Sequence, residues 1–282
     1  MNTLLKVTGR RSDGYHELIS IMVPIDLFDL LEIDVIPKGI KLTCEGYQVP
    51  TDESNLVHRA IKTFFSKISF NKGISIKLQK NIPVAAGLGG GSSDAAATLL
   101  SLNEMCSNPL SLPELQDLAI QLGADVPFFL HCKPSLVRGI GEILEPLKRW
   151  PRHYYVIITP PLQVSTDWVY GNLKLELTRG EYDYIFTSLE NSLVTISHML
   201  ENDLEKVTAA SFPIINRIKK LLVEAGAEGA IMSGSGPSVF GVFTSLDQAT
   251  SAKRSLISQD LGDVFIATEW ERDYCLPLNM KE

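Results

Sequence analysis

The sequence predicts an α+β protein with two lobes, and three observations support this prediction. The chain has 282 residues, which is enough for two modest hydrophobic cores. Its first part contains short strand patterns and a glycine-rich loop that stands between a strand and a helix. Its second part follows the order strand, helix, strand, strand, helix, strand, which is typical of a ferredoxin-like unit. We therefore expect an N-terminal domain over residues 1–150 and a C-terminal domain over residues 151–282.

Apolar and alternating stretches predict the first elements of the N-terminal domain. Residues 3–7, 19–23 and 30–36 are short strand candidates, the last two rich in β-branched side chains. Residues 55–65 predict a helix. Residues 73–79 (GISIKLQ) alternate apolar and polar side chains, which indicates a strand that is buried on one face.

A loop rich in glycine follows that strand. Residues 83–94 read PVAAGLGGGSSD, and we call residues 83–93 the glycine loop. Ser92 and Ser93 are good N-cap residues, and Asp94 suits the first turn of a helix predicted to continue over 95–104. Glycines let the backbone approach a ligand closely, and the start of a helix presents unpaired N–H groups and the positive end of its dipole. The loop is therefore typical of a phosphate-binding site.

Two common nucleotide loops do not fit this segment. It lacks the lysine of a Walker A loop, and Ser92 stands where a dinucleotide-binding fingerprint has its third glycine. The strand before it is amphipathic, whereas the strands of a central parallel sheet are apolar throughout. Ser92 and the amphipathic strand both disfavour a dinucleotide oxidoreductase.

An acidic residue follows the next predicted helix. Ser111 and Glu114 fit a capping box, and Gly123 is a natural helix end. Asp125 lies just beyond that end and before Pro127, where we expect extended backbone. In so short a turn a carboxylate can be held rigidly.

The character of the sequence changes near Trp150, where we place the domain boundary. Strands are predicted at 154–159, 230–233, 239–243 and 264–268, and helices at 213–224 and 247–258. The second and third of these strands flank the segment SGSGPS, residues 233–238, which we call the Gly/Ser loop.

Composition excludes several kinds of partner. The net charge of −7 disfavours duplex nucleic acid, which is bound through clustered Lys and Arg. No apolar window of about 18 residues predicts a membrane span. The four cysteines form no C-x-x-C pair, which favours reduced thiols in a cytoplasmic protein.

Several segments resemble one kinase superfamily. Residues 83–97 (PVAAGLGGGSSDAAA) resemble the phosphate-loop motif of the GHMP kinase superfamily, which includes galactokinase, homoserine kinase and mevalonate kinase. Residues 11–16 (RSDGYH), 122–128 (LGADVPF) and 233–240 (SGSGPSVF) resemble the branch of kinases that act on 4-diphosphocytidyl-2-C-methyl-D-erythritol. Residues 164–170 and 202–205 match as well, so the resemblance spans nearly the whole chain.

This resemblance implies a fold and a reaction. The fold would be the two-lobed GHMP kinase fold, with the glycine loop in the N-terminal lobe and a ferredoxin-like C-terminal lobe. The reaction would be ATP-dependent phosphorylation of a hydroxyl of 4-diphosphocytidyl-2-C-methyl-D-erythritol, in the non-mevalonate route to isoprenoid precursors. ATP and Mg²⁺ would be the cofactors, and the partner a small molecule with a cytidine diphosphate group. No nucleic acid or membrane partner is expected, and the oligomeric state stays open.

The resemblance also implies roles for particular residues. Asp125 would be the general base that accepts the proton of the substrate hydroxyl. The residues implied to bind ATP are Asn55, Lys80, Pro83, Val84, Ala85, Ala86, Gly87, Leu88, Gly89, Gly90, Gly91, Ser92 and Ser93. The residues implied to bind the substrate are Asn2, Tyr15, His16, Thr166, Tyr170, Gly234, Ser235 and Gly236. The protein ligands of Mg²⁺ stay open: Ser92 or Ser93 could reach the ion, and Asp94 fits a first-turn role better than a ligand role.

The chain departs from the family pattern at its start. The family begins with P-A-K-[IV]-N-L; Asn2 aligns with the Asn, and the Lys position would fall before Met1. We expect a start assigned too late or a truncated clone, and the alternative is a protein that lacks this charge. Two other functions therefore stay open: another GHMP kinase with a different alcohol substrate, and a nucleotide-binding protein without catalysis.

Overall fold

The computed structural model describes residues 1–174 and 196–270, which form two compact units. The first unit contains Met1–Asp26, Ala85–Leu88 and, from the rest of the described chain, residues 133–174 and 196–270. The second unit contains Leu27–Val84 and Gly89–Cys132. These units are defined by spatial packing, and each combines separate stretches of the chain. The expected domain boundary near residue 150 stays a prediction.

The first unit contains a five-stranded sheet in the order β7-β6-β2-β1-β9. Its strands are β1 (Asn2–Arg10), β2 (His16–Met22), β6 (Ser135–Arg138), β7 (Ile143–Pro146) and β9 (Glu201–Asn202). The pairing is antiparallel except between β1 and β9, where Leu5 pairs with Asn202 in parallel register. A helix starts at Asp203, directly after β9, so this pairing fixes where that helix begins.

A second sheet of the first unit has ferredoxin-like topology. Strands β8 (Tyr154–Thr159), β10 (Gly229–Met232), β11 (Val239–Phe243) and β12 (Asp263–Thr268) pair antiparallel in the order β10-β11-β8-β12. The helices of this region are α5 (Thr166–Asn172), α6 (Asp203–Ser211), α7 (Ile214–Glu224) and α8 (Leu246–Ile257), with a 3₁₀ turn at Ile196–Met199. The predicted strand and helix order is confirmed, and so is the ferredoxin-like arrangement.

Helical periodicity explains how this sheet is covered. Ile215, Ile218 and Leu222 recur at spacings of three and four on α7, and all three are fully buried. They pack in one apolar cluster with Val156 and Phe243 of the sheet. A fully buried side chain of this size contributes roughly 1.5–3 kcal/mol relative to exposure, so this contact is a main source of stability for the unit.

The second unit packs four helices with a three-stranded sheet in the order β3-β5-β4. Its strands are β3 (Leu30–Ile36), β4 (Ile40–Gly46) and β5 (Gly73–Lys80). Its helices are α1 (Leu56–Phe65), α2 (Gly90–Met105), α3 (Leu112–Leu122) and α4 (Val126–His131). Ile74, Ile76 and Leu78 of β5 are buried, which confirms the predicted alternation.

Two local predictions were wrong. Helix α2 begins at Gly90 with Gly89 as its N-cap, so Ser92 and Ser93 lie inside the first turn and do not cap it. Asp125 has helical backbone angles (φ −83°, ψ −13°) and precedes α4 directly, so the chain is not extended before Pro127. Proline is tolerated there because the first N–H groups of a helix have no intrahelical acceptor.

The structure tests two further expectations, reduced thiols and the absence of a membrane-spanning helix. Cys44 and Cys106 carry free thiols, whereas Cys132 is disulfide-bonded, so the expectation of reduced thiols is wrong at that residue. Cys275 lies outside the described residues. Within residues 1–174 and 196–270, no helix is both long enough and apolar enough to cross a bilayer.

Candidate active site

Residues 85–88 of the glycine loop belong to the first unit and are fixed by the Gly/Ser loop. The Ser233 hydroxyl donates to the carbonyl oxygen of Gly87 at 2.8 Å, and the Ser238 N–H donates to that of Ala86 at 3.2 Å. Gly87 has φ +73°, and a Cβ there would collide with the carbonyl oxygen of Ser233. Glycine is therefore required at position 87.

The residues around Gly87 differ in exposure. Pro83, Ala86 and Leu88 are buried, whereas Val84 and Ala85 are exposed. Ala85 has φ +52°, a conformation that costs an L-residue with a Cβ about 1–2 kcal/mol. The exposed backbone at Ala85 is therefore held in a strained conformation next to a buried neighbour.

The second part of the glycine loop is the start of α2 in the second unit. The Ser93 N–H donates to the Gly89 carbonyl at 2.9 Å, and the Ser93 hydroxyl donates to the Gly90 carbonyl at 2.8 Å. A Cβ on Gly89 would lie 2.8 Å from the ring of Phe129, and Gly91 is exposed. The first turn of this 16-residue helix is therefore packed at Gly89 and exposed at Gly91, and its first N–H groups have no intrahelical acceptor, which suits anion binding.

Lys80, implied to line the adenosine site, has a buried ammonium group. It forms an ion pair with Asp29 and a second one with Asp94 at 2.9 Å. The other oxygen of Asp29 accepts from the backbone N–H groups of Asn81 (2.6 Å) and Ile82 (2.9 Å). The Lys80 carbonyl accepts from the Tyr47 N–H at 3.0 Å, so its backbone is engaged as well, and the role of Lys80 toward adenosine stays a prediction.

Asp94 is part of this buried network and does not act as an exposed first-turn residue. Its side chain is 4% exposed, and burial raises its pKa from 3.8 to about 7. The Lys80 ammonium opposes that rise, and the neighbouring Asp29 carboxylate adds to it. An ion-paired carboxylate below the protein surface is poorly placed to hold a metal ion.

Asp125 presents a carboxylate that makes no hydrogen bond within the part of the chain that the structure describes. It occupies the N-cap position of α4, yet its side chain makes no capping bond, and it has no hydrogen-bond partner among the described residues. Its backbone is fixed because the Val126 N–H donates to the Gly123 carbonyl at 3.1 Å. The side chain is accessible, and desolvation nevertheless raises its pKa. A rigidly placed, uncommitted carboxylate of this kind can accept a proton from a ligand.

Asn55 caps helix α1. Its side-chain oxygen accepts from the Val57 N–H at 2.8 Å, and its amide donates to the Pro50 carbonyl at 2.6 Å. A capping bond of this kind contributes about 1 kcal/mol to the helix. The implied contact of Asn55 with adenosine stays a prediction.

Two of the three implied substrate aromatics lie together. The rings of His16 and Tyr170 stack with centroids 5.0 Å apart and an interplanar angle of 26°. Desolvation, followed by the charge of Arg10, lowers the pKa of His16. Tyr15 is 60% exposed, in a turn closed by its own N–H bond to Asp13 at 3.1 Å. The structure thus pairs His16 with Tyr170 and leaves the Tyr15 ring free to contact a ligand.

The Gly/Ser loop gathers the other implied substrate residues. The hydroxyls of Thr166 and Ser235 are 2.9 Å apart, and the Asn2 N–H donates to the Ser233 hydroxyl at 3.2 Å. Gly234 and Gly236 have φ +56° and +85°, which turn the loop sharply. Three further side chains contact this loop or the residue before it: Asn202, Glu205 and Thr208. Residues 202–205 matched the family in the sequence but were given no role, and Thr208 was missed. Their spacing of three residues was the available signal.

Comparisons with known proteins agree with this fold. The family profile "GHMP kinases N terminal domain" matches residues 55–133, and "GHMP kinases C terminal" matches residues 186–261. A 4-diphosphocytidyl-2-C-methyl-D-erythritol kinase from Syntrophotalea carbinolica is 42% identical over 260 residues, which cover 92% of each chain. The enzyme of the same name from Geobacter metallireducens is 44% identical over 91% of each chain. A crystal structure of 4-(cytidine 5'-diphospho)-2C-methyl-D-erythritol kinase matches with a TM-score of 0.81, 34% identity and 95% coverage of both chains.

The fold, the glycine loop and these relatives define an ATP-dependent small-molecule kinase. The chain belongs to the GHMP kinase family, whose fold it has, with N- and C-terminal domains of mixed α and β structure.

Proposed function

We propose that this kinase transfers the γ-phosphoryl group of ATP to a hydroxyl of 4-diphosphocytidyl-2-C-methyl-D-erythritol. Its place would be in the non-mevalonate route to isoprenoid precursors. The observation that carries the proposal is the 42–44% identity, over nine-tenths of the chain, to kinases named for this substrate. Homoserine kinase from Cytophaga hutchinsonii, at 23% identity, shares the fold alone.

Asp125 is the general base in this proposal. Phosphoryl transfer needs a positioned nucleophile, and a carboxylate beside the substrate hydroxyl can accept its proton. The Asp125 carboxylate is free of hydrogen bonds within the described residues, and its backbone is fixed at the start of α4. Its raised pKa makes the carboxylate a stronger base than an ordinary Asp, while the ionised form still carries the activity.

The glycine loop is proposed to hold the phosphates of ATP. Residues 85–88 contribute a backbone fixed by the Gly/Ser loop, and residues 89–93 contribute the N–H groups at the start of α2. We propose that the N–H groups of Gly90, Gly91 and Ser92 donate to phosphate oxygens. Asn55 and Lys80 are proposed to line the adenosine site.

Mg²⁺ is proposed to enter as the ATP complex. Among the described residues, no group of three acidic, His or Cys side chains could hold the ion, and Asp94 is committed to Lys80. The Ser93 hydroxyl is bonded to Gly90, so Ser92 is the hydroxyl of the first turn left for the metal. A single available hydroxyl suits an ion that is held chiefly by phosphate oxygens and water. Such an ion would neutralise charge on the phosphates.

The cytidine end of the substrate is proposed to lie at Tyr15, His16 and Tyr170. Tyr15 offers an exposed ring face for stacking on the base, and the nitrogen atoms of His16 can hydrogen-bond a base edge. Asn2, Thr166 and residues 234–236 are proposed to contact the rest of the substrate. The stacked His16 and Tyr170 rings support the placement, since the two implied residues lie 154 positions apart and still meet.

ADP release by the purified chain tests this proposal. The chain is incubated with ATP and Mg²⁺, with and without 4-diphosphocytidyl-2-C-methyl-D-erythritol. We expect release that depends on the substrate and falls by about 100-fold or more in Asp125→Asn. The matched control is Asp117→Asn, the same change on α3, which should act like the parent. Substrate-independent release, or full activity in Asp125→Asn, would contradict the proposal.

A further inference from the structure

A single face of α6 contacts the Gly/Ser loop. Asn202, Glu205 and Thr208 follow one another at intervals of three residues, so they lie on one side of the helix and its N-cap. All three form hydrogen bonds with Met232, the last residue of β10, or with residues of the Gly/Ser loop. Thr208 is fully buried, and Asn202 is 7% exposed.

Asn202 uses every polar atom of its side chain. Its oxygen accepts from the Leu204 N–H at 2.9 Å and caps α6. Its amide donates two bonds of 2.8 Å, one to the carbonyl of Met232 and one to that of Gly234. A capping residue needs only the first of these bonds, so the other two are specific to the Gly/Ser loop.

Thr208 and Glu205 complete the contact. The Thr208 hydroxyl donates to the Ser235 carbonyl at 3.1 Å, and the Glu205 carboxylate accepts from the Met232 N–H at 2.8 Å. Glu205 is itself ion-paired with Lys219 of α7. Helix α6 thus fixes the carbonyl groups of three residues, Met232, Gly234 and Ser235.

The direction of those carbonyls determines what the loop can offer a ligand. In a trans peptide the carbonyl and the following N–H point in opposite directions. Asn202 holds the Gly234 carbonyl toward α6, so the N–H of Ser235 points away from that helix. No acceptor for the Ser235 N–H lies among the described residues. The Gly236 N–H, in contrast, donates to the Ser233 carbonyl at 2.9 Å.

The contact between α6 and the Gly/Ser loop also affects the position of the glycine loop. Ser233 follows Met232 directly, and its hydroxyl bonds the Gly87 carbonyl at 2.8 Å. A shift of the loop away from α6 would move that hydroxyl and release residues 85–88. Because the loop includes two glycines with positive φ, its own backbone does little to resist such a shift.

We propose that Asn202 and Thr208 are positioning residues for phosphoryl transfer. They hold the Gly/Ser loop so that the N–H of Ser235 is free for an anionic oxygen of a bound reactant and the carbonyl of Gly87 stays fixed. The inference rests on the proposed function, since it takes both loops as part of the kinase site. Neither residue touches a reactant itself in this arrangement.

Matched hydroxyl deletions test the role of Thr208. Thr208→Val removes the bond to the Gly/Ser loop. Thr268→Val removes bonds from a hydroxyl to the His153 carbonyl at 2.8 Å and to the Glu269 carboxylate at 3.2 Å, and neither partner belongs to the glycine loop or the Gly/Ser loop. We expect Thr208→Val to lower kcat about 10- to 100-fold, the effect of a small misplacement near reacting groups. The kcat of Thr268→Val should stay within about twofold of the parent value, although this variant should lose about as much thermal stability as Thr208→Val.

Two further variants separate positioning from general stability. Thr208→Ser keeps the hydroxyl and should retain most of the parent kcat. Asn202→Ser keeps the helix cap but is too short to reach both carbonyls, and it should lower kcat like Thr208→Val. Parent-like kcat in Thr208→Val, an equal loss in Thr268→Val, or no rescue by Thr208→Ser would each overturn the proposal.

Hydrogen exchange decides the inference even if the proposed substrate is wrong. If the parent chain releases no ADP with 4-diphosphocytidyl-2-C-methyl-D-erythritol, the proposed function fails by itself. The positioning role still predicts faster amide exchange at residues 85–88 and 233–236 in Thr208→Val and Asn202→Ser, and parent-like exchange in Thr268→Val. Unchanged exchange at these residues in both loop variants would overturn it.

Discussion

Ser233 and Gly87 lie 146 residues apart in the chain, and the hydroxyl of Ser233 donates a 2.8 Å hydrogen bond to the carbonyl oxygen of Gly87. This bond joins two loops that were each singled out from the sequence as glycine-rich. The contact is close enough that a Cβ on Gly87 would collide with the Ser233 backbone. Residues 85–88 and the Gly/Ser loop therefore form one hydrogen-bonded surface within the first unit.

Gly87→Ala should destabilise the chain more than an ordinary glycine substitution does. The control is Gly226→Ala, since Gly226 also has positive φ (+97°) but no atom within 4 Å of the point where an alanine Cβ would lie. Gly226→Ala should lose about 1–2 kcal/mol of unfolding free energy from its backbone conformation alone. Gly87→Ala should lose more and should weaken ATP binding, as urea unfolding and nucleotide titration would measure. Equal losses in the two variants would show that the contact with Ser233 is unimportant.

The pH dependence of turnover should report Asp125. Its pKa is raised by desolvation, and only the ionised carboxylate can accept a proton. Turnover should therefore fall as the pH is lowered through that raised pKa, at a higher pH than an ordinary Asp would give. The residual activity of Asp125→Asn should lack this acidic limb. A parent profile that stays flat down to the ordinary Asp range, about pH 4, would argue against Asp125 as the base.

Asp94 should make folding stability decline as pH rises. Its pKa is about 7 in the folded chain against 3.8 as the ordinary value, so the folded chain retains a proton that the unfolded chain releases. The contribution is present below about pH 4 and is lost as pH rises toward about 7. Asp94→Asn should flatten this decline, by an amount on the order of a few kcal/mol. Urea unfolding of both proteins at several pH values measures the difference, and parallel pH curves would contradict it.

Tyr15→Ala should impair recognition of the cytidine substrate and spare ATP. The ring is 60% exposed, so its removal costs little stability. Stacking on a base is worth roughly 1–3 kcal/mol, which corresponds to a rise in KM of about 5- to 150-fold. Tyr15→Phe keeps the ring and should stay close to the parent. Steady-state kinetics with each substrate varied in turn provide the measurement, and an equal rise in the KM for ATP would count against this placement.

Elements with strong local patterns could be predicted from the sequence. The bounds of β3 and β11 match the predicted 30–36 and 239–243, and the alternation over 73–79 indicated the buried face of β5. The capping box at Ser111 formed as expected, with both the N–H and the hydroxyl of that residue bonded to Glu114. In these segments local propensity and tertiary packing favour the same structure.

Other features depend on contacts between distant parts of the chain. Strand β4 (Ile40–Gly46) was missed because it forms by parallel pairing with β5. The N-cap of α2 is Gly89 and not one of the predicted serines, because a glycine with positive φ fits against Phe129 there. Asp29 carried no local signal, since its role emerges only where β5 brings Lys80 beside it. The order of the elements was thus easier to predict than the long-range contacts that hold them in place.

Transfer of a labelled phosphoryl group tests the central claim most directly. The purified chain is given ATP labelled at the γ-phosphate, with Mg²⁺ and one acceptor at a time: 4-diphosphocytidyl-2-C-methyl-D-erythritol, homoserine or mevalonate. We predict that the label moves to the cytidine diphosphate substrate and that the other two acceptors remain unlabelled. Faster labelling of homoserine or mevalonate, or no labelling of the cytidine substrate, would contradict the proposed function.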